Sequence, residues 1–236
     1  MPEAAAVRSM FARIAPRYDL LNHLLSAGVD RRWRARAVAA AGERGRGIVV
    51  DVATGTGDLG LAFARAGARV VGVDFTRAML ARAVEKAGRR GARGGRTLFV
   101  GGDALRLPVR SAAADVACIA FGIRNVADRR AGLAEMVRVV RPGGCVLVLE
   151  FSLPPSRFLA ALYRLYFTRL LPRIGGWISG DAAAYRYLPA TVLGWPSPAE
   201  LGMELGSAGL VDCGFRRLTG GIACLSWGRV PATGDP

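Results

Sequence analysis

The hydrophobic pattern changes its period part-way along the chain. Residues 7–41 carry apolar positions at helical spacing, interrupted at Pro16 and Gly28. From Ile48 the pattern switches to short apolar runs separated by helical stretches. Ile48–Val52 reads as a strand that ends in a glycine-rich turn, and Leu59–Ala66 as a helix. Arg69–Val73 is a second strand, ending at Asp74, and Arg77–Ala87 a second helix of this series. Thr97–Val100 and Val116–Ala120 are the third and fourth strands. Asp128–Val140 is helical and stops at Pro142-Gly143-Gly144, and Cys145–Phe151 is the fifth strand. Strands alternating with helices of this length predict βαβ units and a parallel sheet. Residues 152–196 interrupt the alternation. A helix then runs from Pro198 to about Ala208, and Val211–Arg217 and Ile222–Trp227 form a hairpin across Thr219-Gly220-Gly221. The expectation is an α/β, Rossmann-like domain at 47–230 with a mostly parallel seven-stranded sheet and an antiparallel C-terminal hairpin. A helical lid at 1–46, an insertion at 152–196 and a tail at 231–236 complete the plan.

Composition narrows the classes. At 236 residues and 52% hydrophobic content the chain can bury a large core, which excludes global disorder. Its formal charge of +15, from 33 basic against 18 acidic residues, would ordinarily point to nucleic acid or an anionic membrane. Yet Lys86 is the only lysine, and such a skew towards arginine reflects compositional bias more than a selected patch. The basic stretch 88–95 contains no aromatic residue, so a nucleic-acid partner is not expected. Cys118, Cys145, Cys213 and Cys224 form no CxxC pair, and His23 is the only histidine, so no metal site is expected. The absence of a signal-like N-terminus and of a long apolar run predicts a cytoplasmic protein with no membrane-spanning helix.

The strongest local signal is VVDVATGTGDLG at 49–60. Gly55, Gly57 and Gly60 satisfy GxGxxG, a pattern that by itself also fits a dinucleotide dehydrogenase. Three acids favour S-adenosylmethionine (SAM). Asp51 sits inside the first strand, where a dehydrogenase carries an apolar residue and a methyltransferase uses an acid to orient the ligand's amino-acid end, directly or through water. Asp74 ends the second strand and could accept both ribose hydroxyls, as it would in either enzyme class. Asp103 and Ala104 come directly after the third strand, where an acid typically meets the adenine. Helix capping by Asp51 and a turn held by Asp103 are the alternative readings.

With these residues in view, the chain resembles the ubiquinone/menaquinone biosynthesis C-methyltransferases (UbiE/MenG type) over about residues 7–229. The blocks that carry the resemblance are YDLLNHLLSAGVDRRWR (18–34), VVDVATGTGDLG (49–60), FGIRNVADRRAGLAEMVRVVRPGG (121–144) and SGDAAAYRYLP (179–189). The resemblance implies SAM contacts at Thr56 in the glycine loop, at Asp74 with Phe75 beside it, and at Asp103-Ala104. A family serine contact falls on Ala120, which cannot supply a hydroxyl. Asp30 stands where the family usually has a histidine, and Thr191 and Trp195 replace a usual serine and phenylalanine.

The resemblance further implies methyl transfer to a ring carbon of a reduced demethylquinone with an isoprenoid tail. Ionisation of a quinol hydroxyl makes the adjacent carbon nucleophilic, so the protein must assist that ionisation and align the reacting atoms. The family's Arg-Asn pair falls on Arg124 and Asn125. An arginine cannot act as an ordinary base, so Arg124 is expected to stabilise the quinolate. His23 has the most suitable intrinsic pKa for a base, although a structural role fits a lone histidine equally. Tyr18 and Asp19 match a family Tyr-Asp pair that would line the site under the lid; a helix cap at Asp19 is the other reading. Residues 157–180 mix Leu, Tyr and Phe with Arg157, Arg164 and Arg169. They read either as an interfacial helix on an anionic membrane or as a packed helix, including one at a homodimer contact. A methyltransferase of secondary metabolism and a non-catalytic SAM-binding subunit are the alternative functions.

Overall fold

A computed structural model describes residues 4–89, 96–170 and 191–234. The SGDAAAYRYLP block, most of the basic stretch 88–95 and the second half of the 152–196 insertion lie outside the described residues. Seven strands form one sheet: β1 (Ile48–Val52), β2 (Arg69–Asp74), β3 (Thr97–Gly101), β4 (Ala114–Ala120), β5 (Val140–Phe151), β6 (Val211–Leu218) and β7 (Ala223–Arg229). Their order is β3-β2-β1-β4-β5-β7-β6. The first five run parallel, and β7 lies antiparallel to both β5 and β6. The chain therefore winds outward from β1 in one direction and from β4 in the other. The crevice between the carboxyl ends of these two strands is the topological switch point where such sheets bind ligands.

Alternation along the strands explains why both faces are covered. Val49, Val116, Cys118, Leu147 and Leu149 face one layer, formed by α3 (Val29–Ala41) and α4 (Asp58–Arg65), with Trp33, Ala37 and Phe63 buried against them. Val50, Val52, Ala117, Ile119, Val146 and Val148 face the opposite layer. That layer holds α6 (Arg129–Val139) through Leu133, Met136 and Val139, and the C-terminal helix Pro198–Ser207 through Leu201 and Leu205. Local caps set the helix starts. Asp128 accepts the Ala131 amide at 3.0 Å, and Ser197 with Glu200 forms a capping box.

One boundary departs from the sequence expectation. The helix ends at Val139, and Val140 already pairs with Ala114 as the first residue of β5. Pro142-Gly143-Gly144 is absorbed into the strand at a register shift between Ala114 and Val116, with Gly143 in the left-handed region. Arg141 precedes a proline, which disfavours the helical region there, and the extended backbone begins ahead of the glycines.

The N-terminal segment consists of α1 (Ala4–Ile14), a 3-10 turn (Ala15–Arg17), α2 (Tyr18–Leu25) and α3. Ile14 and Ala15 bury against Met79 of α5 (Arg77–Arg89), Tyr163 of α7 (Arg157–Leu165) and Val192, forming a small third core beside the switch point.

Candidate active site

A cleft opens at the switch point, where sheets of this kind bind small molecules. The carboxyl ends of the parallel strands supply its wall: Ala53 and Gly55 after β1, Asp74, Phe75 and Thr76 at β2, Gly102–Leu105 after β3, and Ala120, Phe121 and Gly122 at β4. Phe11 and Tyr18 close it from the N-terminal helices, packed edge to face with ring centroids 6.1 Å apart. Ala53 and Phe121 hold positive φ of 48° and 56°. Such backbone costs ~1–3 kcal/mol per residue and concentrates at functional sites.

Two acids shape the glycine loop in different ways. The Asp74 carboxylate accepts the Gly55 amide at 2.8 Å and the Thr76 amide at 2.8 Å, which holds the loop at the cleft wall. Burial pushes its pKa up, while these amides pull it down, and the net shift is upward. Asp51 does not line the cleft. It is 1% exposed, and its Oδ2 accepts the Thr54 hydroxyl at 2.5 Å and the Gly60 amide at 2.8 Å. Its place is under the loop and not on the cleft wall, so an action on the ligand would pass through the loop or through water. Burial raises its pKa to about 6 against the pull of the Thr54 and Gly60 bonds. Gly57 also packs behind the loop: a Cβ there would stand 3.1 Å from both Ala83 and Phe99, and its φ is 82°. Asp103 and Ala104 line the cleft, with the Asp103 carboxylate accepting the Leu105 amide at 2.9 Å.

Thr56, Asp19 and His23 lie outside the cleft wall, in a network of charges beside the loop. The Thr56 hydroxyl donates to Asp19 at 2.5 Å and accepts from Lys86 at 3.1 Å. Lys86 bridges Asp19 of α2 at 2.5 Å and Asp58 of α4 at 2.8 Å. Arg34 pairs with Asp30 and approaches Asp58 at 3.8 Å, and His23 Nδ1 lies 2.9 Å from Asp30. Burial pushes Asp30 and Asp58 upward, but Arg34 and the other partners outweigh it and hold both below the usual carboxylate range. His23 thus has a structural partner, and the Asp30 that replaces a family histidine is that partner. His23, Asp30 and Asp58 have ligand atoms within metal-binding distance of one another, yet the cations paired with these acids are Arg34 and Lys86.

Tyr18 and Asn125 also line the cleft. Burial raises the Tyr18 pKa further above its ordinary value of 10 against its bond to Asn22 and the charge of Arg124. Arg124 is not on the cleft wall. It lies after β4 in the short turn Ile123–Asn125 and pairs with the buried Glu150 of β5. Sequence reasoning missed Glu150, Phe11 and Lys86. A lone acid inside the apolar run VLVLEF was the available signal for Glu150.

Residues 2–230 match the ubiE/COQ5 methyltransferase family. The chain belongs to this family. It is 48% identical over 224 residues to the demethylmenaquinone methyltransferase of Thermus thermophilus, covering 94% of this chain and 100% of the relative. It is 49% identical over 230 residues to the ubiquinone/menaquinone biosynthesis C-methyltransferase of Syntrophotalea carbinolica, covering 97% and 95%. Among solved structures, a SAM-dependent methyltransferase from Aquifex aeolicus superposes with a TM-score of 0.60 at 17% identity, covering 84% of this chain and 89% of that one. The [4+2]-cyclase SpnF superposes at 0.71 with the same identity over 98% of both chains. At such identity the likeness is one of fold. As a family member the chain is a SAM-dependent methyltransferase, and the cleft suits that cofactor: a glycine at the turn after β1 brings backbone to its wall, and carboxylates stand at the end of β2 and just after β3.

Proposed function

We propose that this enzyme methylates a ring carbon of a reduced demethylquinone, most specifically a demethylmenaquinol, as the names of its relatives suggest. The observation that carries the reading is a single cleft lined both by the strand-end residues Gly55, Asp74, Asp103 and Ala104 and by Phe11, Tyr18 and Asn125. SAM supplies an electrophilic methyl group on a sulfonium. Asp74 would hold the ribose hydroxyls, Asp103 and Ala104 would border the adenine, and the loop at Gly55 would receive the amino-acid end. Asp51 keeps that loop in place through Thr54 and Gly60.

At the acceptor end, the nucleophile is a ring carbon whose neighbouring hydroxyl has lost its proton. Arg124 favours that ionisation by stabilising the oxyanion. Tyr18, a neutral hydroxyl, donates a hydrogen bond. With SAM bound, the ring carbon would take the methyl group as its bond to sulfur breaks, and the ring hydrogen would pass to water as a proton to restore aromaticity, one proton being released net. The N-terminal helices act as a lid that excludes water. A methyl-transfer assay with reduced demethylmenaquinol and a demethylbenzoquinol side by side tests the reading. The naphthoquinol should be methylated preferentially, and methylation of neither would refute it.

The isoprenoid tail of such a substrate resides in a bilayer. Helix α7 presents Phe158, Leu162 and Leu165 at 73%, 49% and 54% exposure, beside the exposed Arg157 and Arg164, with Arg169 in the next turn. No helix among the described residues is long and apolar enough to cross a membrane. This face therefore suits peripheral contact with an anionic surface on the cytoplasmic side. Flotation with anionic vesicles at low salt should carry the protein upward. Failure to float removes the membrane role, and a dimer in sedimentation would assign the face to a homodimer.

A further inference from the structure

Glu150 is the least expected group near the acceptor end. It is 1% exposed and stands next to the last residue of an apolar strand. Its Oε1 accepts the Arg124 guanidinium and the Phe151 amide, the latter at 2.9 Å. Its Oε2 and the Arg124 Nε are both buried and have no hydrogen-bond partner among the described residues. A half-satisfied buried pair is a poor way to stabilise a fold, since an apolar pair of similar volume often does as well or better. The arrangement calls for a role other than stability.

The surroundings point to that role. The Arg124 guanidinium lies 5.3 Å over the Phe151 ring, and Phe151 packs at 4.6 Å against Phe121 of the cleft wall. The residue after Arg124, Asn125, lines the cleft. Arg124 has a long, flexible side chain, and stabilising a quinolate from behind the cleft wall needs its charge at a defined place. We infer that Glu150 is a positioning residue for the acceptor: it anchors the Arg124 guanidinium against Phe151, behind the Phe121 wall of the cleft, so that its charge is held at a fixed place beside the ionising hydroxyl. The inference rests on the proposed action of Arg124 on the acceptor.

Steady-state kinetics on the full chain with reduced demethylmenaquinol tests it, using Glu150→Gln, Arg124→Ala and the double variant. A misplacement of about 1 Å can cost ~100-fold in rate, so E150Q should lower kcat by about 10- to 100-fold while leaving SAM affinity unchanged. The double variant should be no slower than R124A, because Glu150 has nothing left to position. Losses that multiply in the double variant, or a wild-type kcat in E150Q beside a slow R124A, would overturn the inference. A wild-type kcat in R124A would instead overturn the parent reading. Should E150Q fail to fold, Glu150→Asp keeps the charge but withdraws it by one methylene. It should show the same loss of kcat at constant SAM affinity, and full activity would overturn the inference.

Discussion

Replacing Asp74 removes the acceptor that the cleft offers to ribose hydroxyls. Each of its oxygens already receives one backbone amide, from Gly55 and Thr76 at 2.8 Å. A carboxylate has about four lone-pair sites, so one per oxygen remains for the cofactor. Hydrogen bonds to a charged group contribute ~1.5–3 kcal/mol. At 1.4 kcal/mol per tenfold, Asp74→Ala should weaken SAM binding by at least ~10- to 150-fold. Asp74→Asn should also weaken it, since its amide NH₂ would face an amide donor on one side. The wild type carries a pH signature as well. Burial places the Asp74 pKa above its ordinary value of 3.8. Only the ionised form accepts both hydroxyls with full strength, so SAM affinity should fall as pH drops through that raised pKa. The loss should begin at higher pH than for an exposed aspartate. Calorimetric titration of the three proteins across pH checks this, with thermal melts confirming that each is folded. An unchanged dissociation constant in both variants refutes the assignment of Asp74 to the cofactor.

Asp51 predicts a pH effect on stability. Its pKa of about 6, against 3.8 for the free side chain, corresponds to a ceiling of ~3 kcal/mol at 1.36 kcal/mol per unit. Because the folded state holds the proton more tightly, this stabilisation is present below about pH 4 and lost as pH rises through 6. Asp51→Asn should remove that dependence, and urea denaturation of both proteins from pH 4 to 7 should give profiles that are not parallel. Lys86→Met should leave Asp19 and Asp58 without their shared cation. Its side chain is 15% exposed, so the cost should be below the ~3–5 kcal/mol of breaking a fully buried pair. Hydrogen exchange should accelerate in α2, and unchanged exchange there would show that Lys86 does not hold the helix.

The parts of the site legible in the sequence are those that one strand end determines. Asp74, Gly55, Asp103 and Ala120 each derive from a short apolar run and the residue that ends it, and all four line the cleft. Groups whose role depends on a partner far along the chain were not legible. Asp51 lay in the correct strand, but its Oδ2 accepts from Thr54 and Gly60 under the loop, which no spacing rule distinguishes from a ligand contact. The partner of His23 is seven residues away and that of Arg124 twenty-six, and both pairings arise from packing. For the sheet, the hairpin was readable from its turn, but not which of its strands docks on β5. The structure puts β7 there, with Cys145 to Phe151 paired against Arg229 to Ala223. The apolar run from Ala223 to Leu225 is buried, whereas β6 is largely exposed and suits a sheet edge.

The cleft is also divided electrostatically, which bears on what the lid must do. Carboxylates stand at the end proposed for a cationic cofactor, and a guanidinium lies behind the end proposed for an anionic acceptor. Methyl transfer from a sulfonium to a quinolate consumes both charges, so water stabilises the separated reactants more than the transition state. A dry cleft therefore raises the rate, provided that fixed protein charges bring the ions in first. The Lys86 bridge ties α2, which carries Tyr18, to the start of α4 directly after the glycine loop. The glycine loop and the N-terminal helices are thus fastened by one cation. A variant that loosens this bridge while Asp74 and Gly55 stay in place should lose more in turnover than in SAM affinity. The reverse result would mean that the N-terminal helices serve cofactor binding and not the exclusion of water.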